Sequence, residues 1–162
     1  MPDPVGCTFA VAKLSGATTI IATERFPHRA AMAKHYGADE VLQCPLDEAS
    51  AAVKKSTGGR GCDVVFEVAG AVDTPTAAAS MCKKGGTLCV VGICAADSVS
   101  TTACRRAVLA GMRLQIDGGV FQMSVRHSTA RRAGLTIKMV RRMKHTYPRC
   151  IAIAEKGLVD LR

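Results

Sequence analysis

Glu24 closes a run of β-branched and small apolar residues that begins at Thr18, and Gly6 stands eighteen positions before it in a stretch that reads as a helix. A glycine at a helix start lets backbone amides approach a phosphate, and a carboxylate at the end of the next strand can accept hydrogen bonds from sugar hydroxyls. These two residues supply half of what a dinucleotide site needs. Other chemistries lack their parts. Tyr36 is followed four positions on by Glu40 and Tyr147 by Ile151, so there is no Tyr–Lys proton-transfer pair, and no G-x-x-x-x-G-K-[ST] loop is present. His28, His35, His127 and His145 fall in no ligand spacing and read as surface or helix-end residues. The eight cysteines (7, 44, 62, 82, 89, 94, 104 and 150) form no C-x-x-C and read as reduced, small hydrophobes, with no metal site or disulfide framework among them.

The elements that would carry these residues alternate at short intervals over the first 94 positions, as repeated βα units do. Asp3 is a plausible N-cap with Pro4 at the first helical position, and Gly16 stops a helix running from Pro4 to Ser15. "TTIIATE" suits a buried strand, Pro27 opens a second helix that Gly37 closes, and "DEVLQC" is a short strand. "LDEASAAVKKSTGG" is a third helix with acids first and lysines last, matching the helix macrodipole. "CDVVFEVAG" is a strand, "TPTAAASMCKKGG" a helix with its stop, and "TLCVVGI" the next strand, which makes four strands and four helices. Residues 95–133 show no clean period. "LTIKMV" then reads as a strand and "YPRCIAIAEKG" as a helix.

At 162 residues the chain is the size of one domain, and 48% hydrophobic residues with no Trp imply a core of Val, Ile, Leu, Ala, Met and Cys. No apolar run approaches the roughly 18 residues that span a bilayer, and no signal peptide is visible, so a soluble cytoplasmic protein without a membrane partner is expected. The net charge of +9 is uneven: residues 1–94 carry nine basic and nine acidic side chains, whereas residues 95–162 carry thirteen and four. A basic region can bind a polyanion.

"PVGCTFAVAKLSGATTIIATERFPHRAAMAKHYGADEVL" resembles the cofactor domain of the zinc-dependent medium-chain dehydrogenases, in which a G-x-G-P-V-G loop leads the first helix and the next strand ends in an acid. "GCDVVFEVAGA", "KGGTLCVVGI" and "TYPRCIAIAEKGLVDL" continue the resemblance in order, the last being most similar to the sorbitol and xylitol dehydrogenase branch. The resemblance implies an α/β fold, a Rossmann-like doubly wound parallel sheet. It implies NAD as cofactor, with Val5 and Gly6 by the pyrophosphate, Glu24 on the ribose hydroxyls and Arg29 near the adenosine end. Val91, Gly92 and Ile93 would lie beside the nicotinamide, and Arg141 and Arg142 in the cofactor-contacting segment, with Arg142 also toward substrate. Met143 replaces the aromatic that usually follows. Glu24 would repel a 2′-phosphate, which favours NAD over NADP. Relatives oxidise a secondary alcohol, a small alcohol or polyol, to a ketone by hydride transfer, and pair through the edge strand that "LTIKMV" resembles.

Aligned on "PVG", the family's first two glycines fall on Met1 and Asp3, and the strand ahead of them falls before the chain begins. The expectation is therefore a fragment, residues 1–162 as a single dinucleotide-binding domain truncated at both ends and lacking its first strand. The family's catalytic zinc sits in a separate domain, and its ligands have no counterpart here. No catalytic residue is thus assigned, and the chain alone is expected to be inactive. "TACRRA" at 102–107 nearly recurs as "TARRAG" at 129–134, an offset of 27 residues, which reads as an insertion at 104–130 of the kind a splicing or gene-model error makes. The alternative function is non-enzymatic binding of nucleic acid or another polyanion through the basic C-terminal region, which lacks the interleaved aromatics such a surface uses.

Overall fold

The computed structural model describes residues 4–71, 73–92, 114–116, 119–121, 127–140 and 145–159, of which 4–6, 114–116, 119–121, 127 and 129 are described by backbone alone. Asp3, Ile93, Arg141, Arg142 and most of the segment 104–130 lie outside the described residues. The chain divides into two compact units, Met1–Pro45 with Arg141–Arg162, and Leu46–Val140.

In the first unit, α1 (Pro4–Leu14) is followed by β1 (Ile21–Thr23), α2 (Pro27–His35) and β2 (Glu40–Leu42). Pro27 begins α2 because its fixed φ suits the first turn and its missing N–H would have had no intrahelical acceptor there. The two strands pair in parallel, Ile21 opposite Glu40 and Thr23 opposite Leu42. Their ladder buries Ile20, Ala22, Ala33 and Ala38 against Phe9, Ala12, Ala17 and Val41, so small residues let α1 and α2 lie close on the strands. Asp39 ties this layer at its edge. Its carboxylate accepts from Lys13 Nζ of α1 at 2.8 Å and from the Ile20 amide at 2.7 Å. The Lys13 ammonium, and next the Ile20 N–H, hold the Asp39 carboxyl below its ordinary value. The unit also contains α6 (Tyr147–Glu155), with Pro148 in its first turn.

The second unit begins with α3 (Leu46–Ser56), whose Ala49 and Val53 are buried. Asp47 and Glu48 at its start and Lys54 and Lys55 at its end complement the helix dipole, as expected. Next come β3 (Cys62–Glu67), α4 (Thr74–Met81) and β4 (Cys82–Val90); later elements are a hairpin of β5 (Leu114–Ile116) and β6 (Gly119–Phe121), then α5 (His127–Ala133) and β7 (Thr136–Met139). The sheet is parallel, in the order β3-β4-β7. Leu88 of the central strand is completely buried with Ala78, Ala79, Cys82 and Val90, and Val65, Ala130, Leu135 and Ile137 close round them. Truncating a leucine so enclosed costs about 2–5 kcal/mol.

The four-strand, four-helix order of the first 94 residues is as expected, with one correction. Lys83–Gly86 does not terminate a helix. Cys82 is already extended at φ −68°, ψ 144°, so β4 follows α4 with no linking residue. The pairing steps from Cys62 opposite Cys82 to Val64 opposite Thr87, and Lys83–Gly86 fills the irregularity between them. The Lys83 ammonium meets the Asp63 carboxylate across this bend. The strand read over Thr18–Glu24 narrows to Ile21–Thr23, and that over Thr87–Ile93 ends at Val90.

Candidate functional site: the carboxyl ends of the parallel strands

Ligands of open parallel sheets bind beyond the carboxyl ends of the strands, where loops converge and helix N-termini begin. In the first unit that place is held by Glu24, directly after β1. Its own N–H donates to the Leu42 carbonyl at 3.1 Å, continuing the ladder by one residue. Its Oε1 accepts from the amides of Arg25 at 2.8 Å and Phe26 at 3.0 Å. One carboxylate oxygen thus closes the β1–α2 turn, which fixes the whole half-buried group in orientation.

Phe26 projects from that turn, 46% exposed, between two guanidinium groups: Arg25 Cζ lies 5.6 Å and Arg29 Cζ 5.5 Å from the ring centroid. Both distances are within reach of a cation–π attraction, worth about 0.5–1 kcal/mol at an exposed site. Arg29, in the first turn of α2, thus reaches the Phe26 ring of the turn that Glu24 closes. Val5 and Gly6 stand in the first turn of α1, where amide N–H groups have no acceptor within the helix.

In the second unit the corresponding place is the end of β3 and β4. Glu67, the last residue of β3, is only 3% exposed. Its Oε1 accepts from the amides of Ala69 at 3.0 Å and Gly70 at 2.9 Å. The single Thr74 hydroxyl proton is within reach of both Glu67 Oε1, at 2.7 Å, and the Ala71 carbonyl, at 2.8 Å. The Glu67 carbonyl accepts from Val91 N–H at 2.8 Å and Gly92 N–H at 2.9 Å. Oε2 is buried, and among the described residues nothing donates to it. Gly92 packs so closely here that a Cβ would collide with the Gly70 nitrogen and with Glu67 Oε2.

The structure thus places Glu24 in the β1–α2 turn and Arg29 in the first turn of the helix that follows, and Val91 and Gly92 together after β4. Ile93, Arg141 and Arg142 lie outside the described residues. Glu67, Thr74 and Phe26 were missed by sequence reading. An acid set within the apolar run "CDVVFEVAG", with Gly70 and Thr74 after it, was the available signal for Glu67. Among the described residues no three His, Cys, Asp or Glu side chains converge as a metal site would need.

Residues 4–133 match the zinc-binding dehydrogenase family. The chain belongs to that family. Within it, the chain is 41% identical over 95 residues to an alcohol dehydrogenase of Cupriavidus necator, covering 58% of this chain and 26% of that protein. It is 28% identical over 160 residues to the sorbitol dehydrogenase of Bacillus subtilis strain 168, covering 98% of this chain and 38% of the relative. A protein of Sinorhizobium meliloti 1021, solved with NADP bound, superposes with a TM-score of 0.71 at 19% identity, covering 96% of this chain and 40% of its own. That likeness establishes the fold as α/β and Rossmann-like, a doubly wound parallel sheet. The zinc-binding dehydrogenases matched here are therefore much longer, and the chain spans 26% to 38% of the two curated relatives. No described helix is long and apolar enough to cross a membrane.

Proposed function

We propose that the chain is the NAD-binding part of a zinc-dependent alcohol or polyol dehydrogenase, an oxidoreductase whose whole protein converts a secondary alcohol to a ketone. The observation that carries this is Glu24, a carboxylate at the end of a parallel strand, oriented by two amides of its own turn. A carboxylate so held can accept both adenosine ribose hydroxyls and repels a 2′-phosphate, so NAD is the cofactor favoured. Gly92, packed against Gly70 and Glu67 with no room for a side chain, holds the loop after β4 close to the end of β3, where this reading puts the nicotinamide.

In this reading the first-turn amides of Val5 and Gly6 meet the pyrophosphate, and Arg29 lies at the adenosine end. Val91, Gly92 and Ile93 border the nicotinamide, Arg141 and Arg142 contact the cofactor, and Arg142 also faces the alcohol. Bound NAD supplies the hydride acceptor. The chain's own residues bind and orient it. The described residues offer no set that fits zinc. Residues 1–162 act as one dinucleotide-binding domain carrying an insertion at 104–130, and copies pair through the outer edge of β7, beside which Met139 and Val140 are exposed.

Calorimetric titration of NAD into the purified chain tests the reading, with circular dichroism to check folding. Saturable binding that persists at raised salt is expected. A folded chain that does not bind NAD overturns the proposal, and affinity that collapses with salt favours polyanion binding instead.

A further inference from the structure

We propose that Glu67 is a positioning residue for the nicotinamide side of the bound dinucleotide: side chain and main chain together, it fixes the two loops that leave β3 and β4. The proposal rests on the reading of the chain as an NAD-binding domain and adds a residue to it.

The stretches at issue are residues 68–71, which follow β3, and Val91 and Gly92, which follow β4. Glu67 holds the first through Oε1, within 2.7 to 3.0 Å of Ala69 N, Gly70 N and Thr74 Oγ1. It holds the second through its carbonyl, which takes the amides of both Val91 and Gly92. The two loops also touch directly, since the face of Gly92 lies against Gly70 N and Glu67 Oε2 with no room for a methyl group. Glu67, Gly70 and Gly92 are therefore tied to one another by direct contacts.

Stability alone is a poor reason for this arrangement. A 3% exposed carboxylate, one oxygen of which has no donor among the described residues, meets a desolvation cost that an apolar side chain of similar volume avoids, and replacing buried ionic groups by apolar ones is often neutral or stabilising. What an apolar residue cannot do is accept from the amides and hydroxyl of one loop. Every partner of Oε1 lies at the carboxyl end of β3, the side on which such sheets bind ligands. Glu67 touches no reacting atom in this scheme. It acts through Val91 and Gly92.

The test compares NAD with ADP-ribose, which keeps both phosphates and both riboses and lacks the nicotinamide. Each is titrated calorimetrically into the full chain and into Glu67→Ala, Gly92→Ala and Glu67→Gln, with circular dichroism and melting recorded for each. For the two alanine variants NAD affinity is expected to fall about tenfold or more, as for loss of a hydrogen bond to a charged group, while ADP-ribose affinity changes less than about twofold. Glu67→Gln keeps an acceptor oxygen for the loop and is expected to restore NAD affinity to within about threefold.

Parallel loss of both ligands means a merely structural role and overturns the proposal, as does unchanged NAD binding in Glu67→Ala. An unaltered chain that binds ADP-ribose and NAD equally well also overturns it, because the nicotinamide side then contributes nothing. A chain that binds neither overturns the NAD-binding reading itself. Should Glu67→Ala fail to fold, Gly92→Ala and Thr74→Val, which removes only the hydroxyl on Oε1, decide the matter by the same ratio.

Discussion

Glu24 and Glu67 both end a parallel strand, yet their surroundings assign them different work. Glu24 is half-buried with one oxygen closing its turn, so its removal leaves amides that water can reach. Glu24→Ala is therefore expected to leave the fold intact and weaken NAD binding by roughly 10- to 100-fold, the worth of about 1.5–3 kcal/mol for hydrogen bonds to a charged acceptor. NADP affinity should fall less or rise, since the repulsion of its 2′-phosphate goes too; titrating both cofactors into the variant reads the ratio. The cysteines carry a second prediction. Burial pushes the Cys82 thiol up to about 11, with Cys62 and Cys89 beside it adding to the shift. Between the ordinary value of 9.0 and about 11 the unfolded chain gives up this proton while the folded one keeps it. The stability that the buried thiol contributes is thus complete below pH 9 and lost as pH rises through that window. Melts recorded from pH 8 to 11 should show this slope, and Cys82→Ala should flatten it. Exposed Cys150 should react with alkylating agents well before Cys82 does.

At the scale of elements, the start of β3 leaves little room for change. Gly61 sits at φ +87°, and a Cβ there would lie 2.7 Å from the Met81 carbonyl oxygen and 2.9 Å from backbone atoms of Cys82 and Lys83. Gly61→Ala is expected to cost about 1–3 kcal/mol from the backbone conformation alone, with the collision added, and a denaturant midpoint measures it. Much of this architecture was legible beforehand. Pro27, Pro75 and Pro148 each mark a helix start, because proline's fixed φ and missing N–H suit only the first turn. β-Branched runs marked β1 and β3. Other parts were hidden. "KKGG" after an alanine-rich helix looks like a stop, and only the partner strand shows that these residues bulge within a ladder begun at Cys82. The β5–β6 hairpin and α5 also escaped notice, since two three-residue strands and a seven-residue helix are too short to establish a period. Glu24 was legible as a strand-end acid. Glu67 was legible only as an acid set in an apolar strand, because the role of a buried acid lies in which amides surround it, and no spacing rule records that.

At the scale of the whole molecule, the charge of +9 is the property most able to mislead a binding assay. A protein held by 6–10 phosphate contacts loses about a thousandfold or more in affinity between roughly 50 and 200 mM salt, whereas two phosphates on a dinucleotide give a far shallower slope. NAD affinity is expected to fall by less than about tenfold over that range, and the slope of the titration against salt is the check. The family match spans residues 4–133 and the chain spans 38% of the sorbitol dehydrogenase relative, so the proposed reaction can be tested in hybrids of this chain with the rest of such a relative. The bend in β4 bears on how such hybrids could be built. Lys84 and Gly85 are exposed, the ladder pauses between Cys82 and Thr87, and pairing resumes in register from Thr87 to Val90. Extra residues spliced between Lys84 and Gly85 would lengthen a detour that the sheet already makes. That makes the bend a docking point for a reporter loop or affinity tag, placed at the amino end of the strand and facing away from the ends where a ligand would be read.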